Sequence, residues 1–203
     1  MSVSRRAFLI APLPVALWLR GAGAADSPAA TIQHFYDVLL SVMKEAKRLS
    51  FDQRYQRLAP AITDTYNLPL MSRLAIGPAW VQLPPAQQQR LTDLFARYTI
   101  AVYANRFDDY NGERFEVDTD PLTNPSGLIV ETRLVKSDGD KVQLNYLMRQ
   151  NGGGPFQVID VYLSGTISEL ATRRSEFAGV LQKSGGDGLA KLLEDRTAAL
   201  RTG

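Results

Sequence analysis

The sequence predicts an α+β domain in which a four-stranded antiparallel meander sheet, over about residues 113–163, is packed by N- and C-terminal helices. Apolar residues recur every three to four positions before about residue 106 and again after Gly165, which is typical of amphipathic helices. Between these regions they alternate with a period of two, as in strands that bury one face. The turns between the strands are short, and Asp138-Gly139 is a two-residue hairpin signal, so neighbouring strands are expected to be antiparallel.

Residues 1–25 have the three-part layout of a secretory signal peptide. Arg5 and Arg6 form a positive start, an apolar run of 13 residues follows, and a small-x-small cleavage site precedes Ala25. At about 1.5 Å per residue, the apolar run reaches only about 20 Å, too short for a hydrocarbon core of about 30 Å. We therefore expect cleavage near Ala24/Ala25 and export to the periplasm.

The stretch Ser4–Leu9 resembles a twin-arginine export signal, with Ile10 where lysine is common. We favour that export route, and the general secretory route stays open. The remaining residues, 26–203, are long enough for one core and are expected to form a single domain.

Charge and cysteine content exclude several classes of function. Without the three arginines of the leader, 20 basic and 21 acidic residues remain, so no global electrostatic attraction to nucleic acid is expected. The chain has no cysteine, which excludes disulfides, thiolate catalysis and cysteine-ligated metals.

Four helical segments are expected before the sheet. They are Ala29–Leu49, a hairpin over Phe51–Tyr66 interrupted near Pro60, Leu68–Ile76 and Pro85–Arg106. Ser27 can cap the first helix, and Pro28 suits its first turn. The last of the four is the longest and carries a wide apolar stripe with aromatic members. The stripe consists of Leu91, Leu94, Phe95, Tyr98, Val102 and Tyr103.

Four strands and two further helices complete the expected order. The strands are Arg114–Thr119, Leu128–Lys136, Lys141–Gln150 and Phe156–Leu163. After Gly165, one helix is expected to run from Ile167 to about Leu181, and Asp187 can cap a second. Because helices precede and follow consecutive strands, the sheet is expected to carry its helices on one face.

Residues suited to catalysis are scarce. The only histidine, His34, lies in the first helix, where a structural role is expected, and no nucleophile-elbow, dinucleotide or phosphate-loop motif is present. We predict no catalytic residue, no metal site and no cofactor.

Asp160 leaves two interpretations open, because a carboxylate within an apolar strand must be paired or functional. One is a salt bridge to Arg149, Arg173 or Arg174. The other is a small-molecule enzyme on a cone-like α+β fold, with Asp160 as a base in an apolar pocket.

Several motifs resemble the MlaC, or toluene-tolerance, family of periplasmic phospholipid carriers. The resemblance covers roughly residues 30–196, and it depends on the order and spacing of the motifs. The matching positions are Leu68, Met71, Leu74, Gly77, Trp80, Gln88, Phe95, Tyr103-Ala104, Val158, Asp160-Val161, Gly165, Ser168, Arg174, Phe177 and Gly185.

The likeness is greatest to the hopanoid-biosynthesis-associated HpnM branch of that family. It is carried by the segments LPLMSRLAIGPAW, YANRFDDYNGERFEV and DVYLSGTISELATRRSEF. One departure is Phe156, where the family tends to have tryptophan.

The resemblance implies an apolar cavity between the sheet and the helices that encloses lipid tails. It also implies a phospholipid or hopanoid ligand, and exchange with an inner-membrane transporter and an outer-membrane complex. The residues expected to contact lipid are Met71, Leu74, Trp80, Leu94, Tyr98, Val102, Leu144, Tyr146, Met148 and Tyr162. Loading would require the helices to part from the sheet, with Gly77-Pro78 and Gly165 as hinges. A periplasmic adaptor with a closed core and no ligand is the remaining alternative.

Overall fold

The structure is a computed structural model that describes residues 27–202, so the predicted leader lies outside the described residues. The helices are α1 (Pro28–Glu45), α2 (Phe51–Thr65), α3 (Leu68–Ile76), α4 (Pro85–Arg106) and α5 (Glu169–Thr202). Short 3₁₀ segments occupy Ala46–Arg48 and Gly77–Gln82. The three N-terminal helices begin at side-chain caps, in which Ser27, Ser50 and Asn67 accept hydrogen bonds from backbone N–H groups of the first turn.

Helix α2 corrects one expectation, because the predicted helical hairpin over Phe51–Tyr66 is a single helix. Pro60 lies inside that helix, on its exposed side. A proline there removes one backbone hydrogen bond, and the carbonyl that loses its partner can be hydrated at an exposed position. Burial of Leu58 and Ile62 on the opposite side holds the helix together across Pro60.

The sheet confirms the predicted antiparallel meander and adds two short strands. Its strands are β1 (Arg114–Val117), β2 (Leu122–Asn124), β3 (Gly127–Val135), β4 (Lys141–Gln150), β5 (Phe156–Leu163) and β6 (Ile167–Ser168). The order is β1-β3-β4-β5-β6, and β2 pairs with the part of β3 that β1 leaves free. Strands β2 and β6 have three and two residues, too few for a period of two to be recognised.

A β-bulge in β5 decides which side chains face the helices. Leu147 of β4 pairs with Asp160, but the next residue, Met148, pairs with Val158. The extra residue shifts the alternation by one position, so Val161 lies on the same face as Val158. Without the bulge, Asp160 would point towards the helices.

The core lies between the helices and the inner face of the sheet. Tyr36 of α1 stacks on Phe115 of β1 with ring centroids 4.1 Å apart, which joins the first helix to the edge of the sheet. Phe95 of α4 and Phe177 of α5 are also fully buried in the core.

Helix α5 contains the break that the sequence predicted between two helices. Gly185 has φ 63° and ψ −165°, a conformation outside the helical region that glycine adopts without a steric penalty. The chain resumes a helical path at once, so two helical segments meet at this residue. Within residues 27–202, no helix is both long enough and apolar enough to span a bilayer.

Candidate functional site

An apolar cavity of about 70 Å³ lies between α4, the start of α5 and the inner face of β4 and β5. We call it the α4–sheet cavity. Its lining is aromatic and aliphatic, with three charged side chains among the residues that bound it. The lining residues are Tyr66, Met71, Phe95, Thr99, Val102, Tyr103, Arg106, Phe107, Leu144, Tyr146, Val161, Leu163, Glu169, Leu170 and Arg173.

Helical and strand periodicity explain this lining. Helix α4 supplies residues spaced three or four positions apart, from Phe95 through Thr99 and Val102 to Arg106, which lie along one face of the helix. Strand β4 supplies Leu144 and Tyr146, and β5 supplies alternate residues that pair with them. The α4–sheet cavity is therefore bounded by one face of a helix and one face of a sheet.

Four tyrosines, Tyr36, Tyr66, Tyr103 and Tyr146, bring their hydroxyl groups together in the interior. We call them the tyrosine cluster. The Tyr36 hydroxyl is hydrogen-bonded to those of Thr132 (2.6 Å) and Tyr146 (2.9 Å), and the Tyr66 and Tyr103 hydroxyls are bonded to each other at 2.5 Å. All of the cluster except Tyr36 line the α4–sheet cavity, so one of its walls carries buried hydroxyl groups.

Burial raises the pKa of every member of the tyrosine cluster above the usual value of 10.0. The effect is largest for the fully enclosed Tyr66 and Tyr146, whose pKa values lie well above 10.0. The hydroxyls are therefore protonated at neutral pH, and they act as hydrogen-bonding groups and not as bases.

The charged residues of the lining are Arg106, Glu169 and Arg173, which we call the charged rim. The Arg173 guanidinium lies 3.4 Å from the Glu169 carboxylate and 4.8 Å from the centroid of the Tyr98 ring. The side chains of the ion pair are only 17% and 27% exposed. Arg106 is an exposed residue at the last position of α4.

Four of the ten residues predicted to contact lipid line the α4–sheet cavity: Met71, Val102, Leu144 and Tyr146. Two others lie close to it. Tyr98 is outside the lining but supports Arg173 of the charged rim. Met148 follows Tyr146 by two positions on the same face of β4 and is fully buried in the core.

The other four predicted residues lie elsewhere. Trp80 lines a surface groove between α3 and the start of α4, where its carbonyl accepts a hydrogen bond from the Gln88 side chain at 2.8 Å. Leu94 faces a groove between α4 and the end of α5. Leu74 packs against the core from α3. Because of the bulge in β5, Tyr162 lies on the outer face of the sheet. Contact of any of the ten with lipid stays a prediction.

Sequence reasoning did not find the charged rim. It selected apolar and aromatic residues of the α4 stripe, whereas the cavity-facing side also contains Thr99 and Arg106. The helical spacing from Phe95 was a usable signal for both residues. No local pattern pointed to Glu169 and Arg173, because the position of α5 against β5 depends on the short strand β6.

Asp160 occupies neither of the two positions expected for it. Its carboxylate accepts hydrogen bonds from the Ser168 hydroxyl (2.5 Å) and from the backbone N–H groups of Val161 (2.8 Å) and Leu170 (3.1 Å). The expected salt bridge to Arg149, Arg173 or Arg174 was wrong: within residues 27–202, Asp160 has no ion pair.

The bonds of Asp160 anchor the first turn of α5 to β5, where a carboxylate is favoured by the positive end of the helix. Asp160 lies outside the lining of the α4–sheet cavity. His34 is exposed on α1. Among the described residues, no group of three or more histidine or acidic side chains is arranged to hold a metal ion.

The fold and the cavity together define an α+β protein built around an apolar pocket between a helical layer and an antiparallel sheet. The MlaC protein family matches residues 33–195. This chain therefore belongs to the MlaC family.

Seven solved chains also match this chain. Among them is a phospholipid-binding protein from Ralstonia solanacearum, solved in complex with a phospholipid at 1.53 Å. It is 23% identical, with a TM-score of 0.75 over 86% of this chain and 99% of the other. The two proteins share the fold. No curated protein matches the sequence.

Proposed function

We propose that the protein carries a phospholipid or a hopanoid across the periplasm, between the inner and outer membranes, by enclosing its apolar tails. Three observations support the proposal: membership of the MlaC family, the fold shared with a phospholipid-binding protein, and the predicted export signal in residues 1–25. The donor and acceptor would be an inner-membrane transporter and an outer-membrane complex.

The observation that carries the proposal is the α4–sheet cavity, whose lining is mostly aromatic and aliphatic and includes the charged rim. Removing a CH₂ group from water is worth about 0.8 kcal/mol, so exposing two acyl chains would cost more than about 20 kcal/mol. A carrier that encloses the tails removes this barrier without covalent chemistry.

Loading requires the α4–sheet cavity to expand. Pockets that take drug-sized ligands measure about 300–1,000 Å³, whereas this cavity measures about 70 Å³. We infer that α4 and the start of α5 move away from the sheet when lipid enters. The proposed hinges are Gly77, at the start of the 3₁₀ segment that precedes α4, and Gly165, in the turn between β5 and β6.

Organic extraction of the freshly purified protein, followed by lipid mass spectrometry, tests the proposal. We expect phospholipid or hopanoid at close to one molecule per protein. If the extract is clean, the protein is incubated with vesicles of phosphatidylethanolamine and phosphatidylglycerol, re-isolated and extracted again. A protein that takes up no lipid in either experiment is not a carrier, and the ligand-free adaptor would then be favoured.

Periplasmic export has a separate test. Osmotic shock of cells that produce the full chain should release a protein that begins near Ala25. Replacing both Arg5 and Arg6 with lysine blocks the twin-arginine route, so the precursor should then remain in the cytoplasm. Continued export of that variant would assign the leader to the general secretory route.

A further inference from the structure

The charged rim is unusual because its members border a cavity whose remaining lining is apolar or hydroxylic. A charge placed beside such a surface loses hydration and must find a partner. Arg173 has two partners, Glu169 at 3.4 Å and the face of the Tyr98 ring. Together they hold the guanidinium group at the edge of the α4–sheet cavity.

The ion pair of Arg173 leaves most of its hydrogen-bonding capacity unused. A guanidinium group has five N–H donors in a planar fork, and the contact with Glu169 engages a single nitrogen at the long distance of 3.4 Å. A bidentate pair would be shorter and stronger. Arg173 can therefore accommodate a better anionic partner than Glu169.

Glu169 can release Arg173 at low cost. It is the first residue of α5, where the helix dipole stabilises a negative charge. Two backbone donors of that turn are already occupied, since Leu170 donates to Asp160 and Ala171 donates to Ser168. An incoming anion would therefore be bound by arginine side chains and not by the helix terminus.

Arg106 provides a second cation for the same anion. It borders the α4–sheet cavity from the last position of α4, and Arg173 borders the same cavity from α5. Within residues 27–202 it has no salt bridge, unlike Arg173. Two arginines on facing elements suit a tetrahedral anion, which offers oxygens to both.

We propose that Arg173 and Arg106 bind the phosphodiester group of a lipid whose tails occupy the α4–sheet cavity. Glu169 is the internal anion that pairs with Arg173 in the unloaded protein and is displaced by the phosphate. This inference rests on the proposed carrier function and assigns its specificity: the protein selects lipids with a phosphodiester over uncharged lipids with the same tails.

The test compares two lipids that differ only at the head group, a phosphatidylglycerol and a diacylglycerol with the same fluorescent acyl chain. The wild-type protein should bind the phosphatidylglycerol at least about tenfold more tightly, the factor expected for a charge-assisted hydrogen bond. Arg173→Met keeps much of the apolar stem and removes the charge. It should reduce that preference to within about threefold, by weakening phosphatidylglycerol binding alone.

Glu169→Gln should act in the opposite direction, because it removes the competing carboxylate. We expect tighter binding of phosphatidylglycerol and unchanged binding of diacylglycerol. The matched control is Asp195→Asn, which breaks the ion pair with Lys191 on the same helix but outside the α4–sheet cavity. That control should leave both affinities unchanged.

The outcomes separate this inference from the carrier function. If the wild type and Arg173→Met show the same preference for phosphatidylglycerol over diacylglycerol, the inference is overturned and the carrier function stands. If Arg173→Met does not fold, Arg106→Met, at an exposed position, gives the same readout. Wild-type protein that binds neither lipid contradicts both. Inorganic phosphate is then added as a competitor, at the same concentration as the lipid. We expect it to displace no phosphatidylglycerol. Full displacement of the lipid would mean that the arginines form a site for free phosphate, which would overturn the inference.

Discussion

The tyrosine cluster makes the stability of the protein sensitive to alkaline pH at the level of single residues. Each member has a pKa raised by burial, while the unfolded chain titrates near 10.0. As pH rises, the unfolded state therefore loses its tyrosine protons first. The stability associated with these protons is fully present below pH 10 and is lost above it.

Tyr36→Phe tests this dependence. At neutral pH, it should lower the free energy of unfolding by about 1 kcal/mol, because the Thr132 and Tyr146 hydroxyls each lose a partner. Above pH 10, it should reduce the loss of stability by up to about 1.4 kcal/mol per pH unit, since one fewer tyrosine titrates. Urea unfolding between pH 8 and about pH 11 measures both effects.

Phe115→Leu is the matched control for that experiment. Phe115 stacks on Tyr36 and has no ionisable group. Its replacement should lower stability by about 1–2 kcal/mol at every pH and leave the alkaline slope unchanged. An alkaline slope that is the same in Tyr36→Phe and the wild type would contradict the assigned titration.

Asp160 is predicted to stabilise the junction of β5 and α5 without affecting the ligand. Asp160→Ala leaves two backbone N–H groups and the Ser168 hydroxyl without their acceptor, which should cost about 1–3 kcal/mol in the free energy of unfolding. Asp160→Asn retains one acceptor oxygen and should cost less. Both variants should bind lipid as the wild type does, measured by the same extraction. Lost lipid binding at unchanged stability would restore a functional role for Asp160.

At the scale of residues, the sequence predicted strand β5 but not which of its side chains face the helices. Strict alternation from Val158 would direct Asp160 and Tyr162 towards the helices, where a base and a lipid contact would have to lie. A one-residue bulge reverses the alternation. A bulge depends on the pairing partner, so one strand read alone does not reveal it.

At the scale of elements, α2 contains a destabilising residue that the fold tolerates. Pro60→Ala restores a backbone donor in the helix interior and should raise the free energy of unfolding by about 1–3 kcal/mol. Thermal or urea unfolding measures the change.

Pro69→Ala is the control, because Pro69 lies in the first turn of α3, where the N–H group has no helical acceptor. It should change stability by less than about 0.5 kcal/mol. If Pro60→Ala and Pro69→Ala changed the free energy of unfolding equally, the effect of Pro60 would not depend on its position inside the helix.

The helices and long strands were predictable because their periods persist over many residues, as in α4 and β4. Gly77 shows a second limit of prediction from the sequence, because its role depends on a residue far along the chain. At Gly77, φ is 70°, and a Cβ atom would lie 3.0 Å from the Arg174 side chain. That side chain donates to the Leu74 carbonyl from 100 positions away. Several residues of the family pattern thus hold elements together, and their spacing alone could not reveal that role.

At the scale of the whole molecule, function depends on whether α4 and the sheet bound a space for lipid. The sequence predicted an apolar helix face opposite an apolar sheet face, and both are present. It could not fix which α4 residues face the sheet, since the wide stripe contains side chains directed to both the α4–sheet cavity and the groove beside α5. Val102 faces the cavity and Leu94 faces the groove, eight positions apart on one helix.

The lipid occupancy of two tryptophan variants tests the central claim most directly. Val102→Trp places an indole ring in the α4–sheet cavity, whereas Leu94→Trp places the same ring at another buried position of α4, beside the groove and outside the cavity. Both proteins are purified identically, checked for folding by circular dichroism, and extracted for lipid mass spectrometry. The account predicts a loss of bound lipid of at least about tenfold in Val102→Trp, with occupancy retained in Leu94→Trp. Folded Val102→Trp with the wild-type amount of lipid would contradict it.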